Sequence, residues 1–404
     1  MIKQVPVSAL RAGMHLHKLE GPWTEHAFWR RSFLLTDTDV KRILETGIET
    51  AWIDTHRGLD VEPAPPSQGT GQATSGPLAA GLGTSAAAPQ TDLDAPLPGE
   101  MDMAKAGAIC KDAEAVLRRL HDDVRIGRSF DSLQCAEVVG RIVDQVMDDP
   151  AALLLVMRLK GHDDYAYMHS IATSALMVAM AQRMGFGRQQ LCEVGVAGLM
   201  HDIGKLFIPS EILQKPGPLT THEYLLVKTH VQRGYAALQR SVSPSTMVLD
   251  VCLHHHERVD GTGYPHGLGG EAISLFAKMA AICDVYDAIT SPRPHRAAID
   301  PSRALRQMAA TQGQFDPVLF QTFVKTVGIY PVGIVVKLES QRLAVVVAQD
   351  ERSLLKPTVK VFYSLEDGQP LPPSVLPLAS ELCNDRIVDV DGSAEMQLRA
   401  LGEL

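Results

Sequence analysis

The sequence predicts a mainly α protein: an α-helical bundle over residues 101–327, preceded by a small α/β N-terminal module at 1–60 and followed by a small β-rich C-terminal segment at 328–404. Three observations carry this. Apolar residues recur at three- and four-residue steps through the middle of the chain, in Ala113, Val116, Leu117 and Leu120 and again in Ile171, Ala175, Val178 and Ala179, which is the period of one helix face. After Val327 the pattern turns to alternation and β-branched runs. From Val61 to Glu100 the composition shifts to Pro, Gly, Ser, Ala, Thr and Gln with scattered leucines, which predicts a flexible linker over 61–100.

In the N-terminal module, Met14–Lys18 and Thr50–Asp54 read as strands. Between them Asp37 or Thr38 is placed to cap a helix through Val40, Ile43 and Leu44, with Gly47 at its C-terminal end. In the bundle, the apolar stretch Leu191–Met200 predicts a helix that delivers His201 and Asp202 at its C-terminal edge, and Phe276–Ile289 predicts another. At the C-terminal end, Pro331–Leu338, Arg342–Ala348 and Thr358–Tyr363 read as strands of a β meander. No internal repeat is visible.

A net charge of -9 and a pI near 5.9 argue against a broad nucleic-acid surface, while leaving room for a few cations to grip a compact phosphate-bearing ligand. Met1–Glu20 lacks the pattern of a secretory signal, and the apolar stretch Ala175–Ala181 is far shorter than the ~20 residues a bilayer requires. A cytoplasmic protein without membrane insertion is expected. The six cysteines, Cys110, Cys135, Cys192, Cys252, Cys283 and Cys383, contain no C-x-x-C pair, and neither a disulfide framework nor a zinc knuckle is indicated.

The residues with the most chemistry are His201-Asp202, joined by His169, His230, the run His254-His255-His256, and Asp284 and Asp287. Asp202 is suited to bridging, because the two oxygens of one carboxylate can serve metals ~3.5–4 Å apart. Taken alone, His201-Asp202 reads equally well as a dipeptide at a helix end, and His169 or His230 as a satisfied core histidine. Adjacent imidazoles, however, repel when protonated and bury poorly unless a metal holds them neutral. Asp284 and Asp287 stand three apart in an apolar helix, a costly placement without metal or basic partners. Lys205 lies one turn past His201, where an ammonium would steady a phosphate oxygen, and Arg293 and Arg296 are spaced to clamp phosphates or to be a plain surface pair. The turn-rich Asp260-Gly-Thr-Gly-Tyr-Pro265 is expected to be an ordered loop beside the site.

Across about Asp163 to Val327 the chain resembles the HD-GYP proteins, a subgroup of the HD-superfamily metal-dependent phosphohydrolases associated with cyclic di-GMP hydrolysis. The resemblance rests on His169-Ser170, His201-Asp-Ile-Gly-Lys205, His230, His255-His-Glu-Arg258, Asp260-Gly-Thr-Gly-Tyr-Pro265, Asp284-Val-Tyr-Asp287 and Ser291-Pro-Arg-Pro-His-Arg296, in that order. Leu10-Arg-Ala-Gly-Met14 and Trp52–Gly58 are also similar to the small domain of unknown function that often precedes this catalytic domain.

The resemblance implies an HD-type helical bundle with two divalent metal ions, Fe or Mn. It assigns His169, His201, Asp202 and Asp284 to one metal and Asp202, His230, His255 and His256 to the other, with His254 outside the motif as a neighbour able to substitute. Asp202 and Lys205 would be catalytic. Lys205, Arg293, Arg296, Asp287, Gly263, Tyr264 and Pro265 would contact the substrate, cyclic di-GMP, which would open to pGpG and then to GMP. Two departures stand out. Tyr165 occupies the place where some family members have a glutamate and a third metal, and His295 stands between the two arginines where Tyr is common.

Three functions remain in view: a cyclic di-GMP phosphodiesterase, a cyclic di-GMP receptor whose Gly263–Pro265 loop docks diguanylate cyclase (GGDEF) domains with little turnover, and an HD hydrolase acting on other nucleotides. The complete ligand set favours the first over the second, and the Gly263-Tyr-Pro265 loop favours it over the third.

Overall fold

The computed structural model describes residues 2–19, 33–44, 50–59, 103–126, 128, 135–159, 165–241, 245–292, 298–350 and 352–391. The proposed linker at 61–100 and Gly47 lie outside them. The chain divides into two compact units, Met1–Gly99 and Glu100–Leu404.

The first unit is an antiparallel sheet in the order β1-β4-β2-β3, with strands β1 (Ile2–Pro6), β2 (His15–Leu19), β3 (Phe33–Leu34) and β4 (Thr50–Asp54), and helix α1 (Asp37–Leu44) between β3 and β4. Alternation along β4 buries Ala51 and Ile53 against Val5, Leu16, Leu35 and Ile43. Two expectations change. β1 and β3 add to the two foreseen strands: β1 buries Val5 alone of its five residues and β3 has only two, so neither shows a readable period. The cap of α1 is Thr36 rather than Asp37 or Thr38: Asp39 N–H donates to Thr36 Oγ1 at 3.3 Å while Thr36 N–H donates to Asp39 Oδ2 at 3.0 Å.

The second unit opens with α2 (Met103–Arg125), α3 (Ala136–Asp148), α4 (Pro150–Leu159), α5 (Tyr165–Arg183) and α6 (Arg188–Met200). In α5 the residues from Met168 to Ala181 are buried on every face, so this helix is the axis of the bundle. It lies against α6, where Ser174 Oγ donates to the Gly195 carbonyl at 2.7 Å. Then follow α7 (Ser210–Leu213), α8 (Thr221–Lys228), α9 (His230–Leu238), α10 (Thr246–His254), α11 (Leu275–Thr290), α12 (Pro301–Ala310) and α13 (Pro317–Val327). Helices α12 and α13 both begin Asp-Pro: the Asp300 and Asp316 carboxylates accept from the first free backbone N–H groups, and proline takes the position that needs no donor.

The C-terminal sheet runs β8-β7-β6-β5-β9, from β5 (Val335–Leu338), β6 (Arg342–Ala348), β7 (Thr358–Ser364), β8 (Gln369–Pro377) and β9 (Ile387–Val390). Its inner strands β5, β6 and β7 are buried on both faces, Val336, Val346 and Val361 on one and Val335, Val345 and Phe362 on the other. β8 escaped the sequence reading because it carries Pro370, Pro372, Pro373 and Pro377; prolines are tolerated there since β8 is the edge of the sheet. The cysteines are free thiols. Among the described residues no helix is long and apolar enough to cross a membrane.

Candidate metal centre

Five segments of the second unit deliver the site. His169 comes from α5, His201 and Asp202 from the end of α6, His230 from the first residue of α9, His255 and His256 from just past α10, and Asp284 from α11. A short 3-10 turn, Ile203–Phe207, follows Asp202 and must sit directly on α9, because a Cβ on Gly204 would lie 1.8 Å from the His230 carbonyl oxygen. That contact brings His230 beside Asp202 and explains why glycine stands between the His-Asp pair and Lys205.

The ring nitrogens are sorted by their partners. His169 Nδ1 donates to Asp287 Oδ2 at 2.6 Å, His201 Nδ1 to the Gly198 carbonyl at 2.7 Å, His230 Nδ1 to the Val227 carbonyl at 2.7 Å, and His255 Nδ1 to the Val251 carbonyl at 3.0 Å. With each Nδ1 proton so committed, the Nε2 lone pairs converge on one another and on two carboxylates. His169 Nε2 lies 3.0 Å from Asp284 Oδ1, His201 Nε2 3.3 Å from Asp202 Oδ2, and His230 Nε2 3.2 Å from Asp202 Oδ1. The Nε2 atoms of His230 and His255 face each other at 3.5 Å.

Such an array of acceptors is repulsive unless something positive sits among them. His201 Nε2 and Asp202 Oδ1 are buried without a hydrogen-bond partner, and both are atoms that a cation would satisfy. Two groups of potential ligand atoms each fall within 4.8 Å of one another: His169, His201, Asp202 and Asp284, and Asp202, His230, His255 and His256. Asp202 belongs to both. The donor set, imidazole and carboxylate, suits a divalent transition metal.

At His255 and His256 the electrostatics agree with that chemistry. Burial pushes His255 down to about 4 and holds His256 well below the usual imidazole value, so both stand neutral, the ligand form, at neutral pH. Burial works against the charged form of Asp202, but Lys205 and the surrounding imidazoles outweigh it and keep the carboxyl well below its ordinary range. At His201 burial is likewise outweighed, here by Asp202 and Asp284, and the imidazole rises to about 8.

Some expected residues stand elsewhere. Asp287, expected to contact the substrate, is buried beside His169, with Oδ2 accepting from His169 and Oδ1 accepting from Ser291 Oγ at 2.9 Å. Lys205 pairs with Asp202 Oδ2, so its ammonium is tied to the centre as well as to the approach. His254 is outside the cluster, donating from Nδ1 to Asp250 at 2.7 Å with Nε2 3.1 Å from His266. Arg293, Arg296 and His295 lie outside the described residues, as does the side chain of Tyr165.

The loop 260–265 closes over this end of the bundle. Gly263 packs on the chain just after the histidines, where a Cβ would meet Arg258 N at 2.4 Å and Glu257 Cα at 2.5 Å. Tyr264 therefore lands against His256, ring centroids 4.8 Å apart, and the Tyr264–Pro265 peptide is cis. Sequence reasoning missed Glu257, which is 3% exposed and accepts from the N–H groups of His266 and Leu268 at 2.7 and 2.9 Å, fastening the far end of the loop to the ligand segment. A cavity of about 200 Å³ opens beside it, lined by His255, His256, Gly263 and Tyr264 among others; Pro265 is not in its lining.

A helical bundle with two overlapping His/Asp ligand groups defines an HD-type metal-dependent phosphohydrolase as the class. Residues 153–319 match the family described as HD domain, and residues 2–135 match a domain of unknown function, DUF3391. The chain is 43% identical over 410 residues to a cyclic di-GMP phosphodiesterase of Pseudomonas aeruginosa, covering all of this chain and 95% of that one. It is 41% identical over 140 residues to a cyclic di-GMP phosphodiesterase response regulator of Xanthomonas campestris, covering 34% of this chain and 37% of that one, and 34% identical over 185 residues to a 3'3'-cGAMP-specific phosphodiesterase of Vibrio cholerae, covering 45% and 42%. The chain belongs to the HD-GYP family of HD-domain proteins, with an N-terminal domain of unknown function. The DUF3391 match runs on through α2, beyond the sixty-residue module read from the sequence.

Proposed function

We propose that this chain hydrolyses cyclic di-GMP to pGpG, and pGpG more slowly to GMP, with two Fe or Mn ions. The observation that carries the reading is the convergence of the Nε2 atoms of His169, His201, His230 and His255 on Asp202 and Asp284, with Asp202 common to both ligand groups. His169, His201, Asp202 and Asp284 would hold one ion, and Asp202, His230, His255 and His256 the other. Two such ions lower the pKa of water and neutralise charge on phosphoryl oxygens. The protein's own part is positional. Asp202 would be shared by both ions, Lys205 holds the Asp202 carboxylate ionised and would offer its ammonium to the diester, and Tyr264 walls the approach against His256. Arg293 and Arg296 take the phosphate contacts that the family resemblance gives them. The full-length similarity to the Pseudomonas aeruginosa enzyme supports cyclic di-GMP over other cyclic dinucleotides.

The test is to purify the protein anaerobically, quantify its metals, and follow cyclic di-GMP by chromatography. We expect two ions per chain and accumulation of pGpG before GMP. Tight cyclic di-GMP binding with no turnover in the Fe- and Mn-loaded protein would replace this reading with a receptor that docks diguanylate cyclase domains.

A further inference from the structure

We propose that Lys228 and Arg258 form a second anion subsite, separated from the metal centre by the Tyr264 ring, and that it holds the phosphate of a cyclic dinucleotide that is not being cut. This rests on the cyclic di-GMP reading. Both cations line the cavity beside His255 and His256, together with Tyr224 and Tyr264. Lys228 Nζ sits 4.9 Å from the centroid of the Tyr224 ring and 4.7 Å from that of Tyr264, and among the described residues no carboxylate lies within ion-pair distance of it. An ammonium whose close partners are two ring faces keeps its charge available to an incoming anion.

Arg258 differs in having an ion-pair partner, but a loosely held one. Its Nε is buried with no hydrogen-bond partner, and its neighbour Asp260, 3.6 Å away, already accepts from the backbone and hydroxyl of Thr262 at 3.0 and 2.6 Å. The acidic residue of the lining, Glu257, spends both oxygens on the backbone of the loop. The cavity thus carries one cation, Lys228, with no carboxylate at ion-pair distance among the described residues, and a second, Arg258, loosely paired to Asp260 at 3.6 Å, on a chain of net charge -9. Local positive charge of this kind is what a doubly anionic ligand needs in order to approach an acidic protein.

The placement is built in. Tyr224 and Lys228 are four apart on α8 and so share a face, and the helix is pinned at its start by a capping box between Thr220 and Glu223. A cyclic dinucleotide with one phosphate at the metals must set its other phosphate elsewhere; an ammonium and a guanidinium fork give a point charge and a planar donor set for it. Tyr224, 48% exposed, offers a ring face to a base.

The experiment compares cyclic di-GMP with bis(p-nitrophenyl) phosphate, a diester with one phosphate, in Lys228→Gln, Arg258→Gln and Lys228→Arg, each checked for wild-type metal content. In the two Gln variants KM for cyclic di-GMP should rise roughly 10–100-fold, the worth of one charge-assisted contact. The ratio of kcat/KM for cyclic di-GMP to that for the single-phosphate diester should fall at least about tenfold, and Lys228→Arg should recover most of it. An unchanged ratio, whether both activities fall or neither does, would overturn the subsite. Wild-type protein that cuts the simple diester but not cyclic di-GMP would overturn the substrate reading, and the subsite's assignment with it.

Discussion

Asp284 and Asp287, three residues apart on α11, hold opposite nitrogens of one imidazole: Nδ1 of His169 donates to Asp287 at 2.6 Å while Nε2 lies 3.0 Å from Asp284. One carboxylate faces the centre and the other orients a ligand from behind, which fixes the His169 tautomer and raises its basicity. Asp287→Asn should therefore weaken metal retention ~10–100-fold with little change in helix content. A metal titration followed by elemental analysis checks this; wild-type affinity would remove Asp287 from the role.

Asp202 and Lys205 separate by function although they form an ion pair. Asp202→Ala removes the carboxylate common to both ligand groups, and we expect metals and turnover to be lost together. Lys205→Ala should keep the metals and slow turnover by ~10²-fold or more, the scale of a lost charge-stabilising group. Retained metals with full activity in the Asp202 variant would sink the bridging assignment.

Gly204→Ala is a packing test. Its Cβ would lie 1.8 Å from the His230 carbonyl, so either the 3-10 turn or α9 must shift. Overpacking against backbone costs about 1–3 kcal/mol or more, which thermal unfolding of the metal-loaded protein would register as a lowered Tm. The same shift moves His230 away from Asp202, so metal content should fall as well.

Glu223 gives a pH-dependent prediction. Its hydrogen bond from Lys215, followed by those from Thr220, lowers its pKa from 4.5 to about 2. A folded-state pKa below the unfolded one contributes stability that is present above pH 4.5 and lost as pH falls through about 2. Glu223→Gln should show a shallower fall of stability across that window than wild type, read from acid titrations monitored by circular dichroism. Parallel acid limbs would show that the α8 cap does not depend on the charge.

Much of the site was readable because imidazole and carboxylate pairs inside apolar helices are costly, so His255-His256 and Asp284 announce a compensating cation. What stayed hidden had no such local signature. Asp287 looks like Asp284 in sequence, and only the direction of α11 past α5 turns its carboxylate to the back of His169. Lys228 and Arg258 are ordinary surface-type residues until Tyr264 is folded between Lys228 and the histidines. Thr36, β1, β3, β8 and β9 were missed for the same reason, since a cap's exact residue and an edge strand's pairing depend on partners far along the chain.

By itself, the sequence determined the helical class of the middle of the chain, the β class of its C-terminal part and the chemical types of the candidate ligands, because helix and strand periods and the cost of burying charge are local properties of a chain. The tertiary structure decided which nitrogen of each histidine faces inward, that Asp202 belongs to both groups of potential ligand atoms, and that Asp287 meets His169 on its Nδ1 side. Those facts depend on how α5, the end of α6, α9, α10 and α11 cross, bringing together residues from 169 to 284 whose side-chain directions no local pattern encodes.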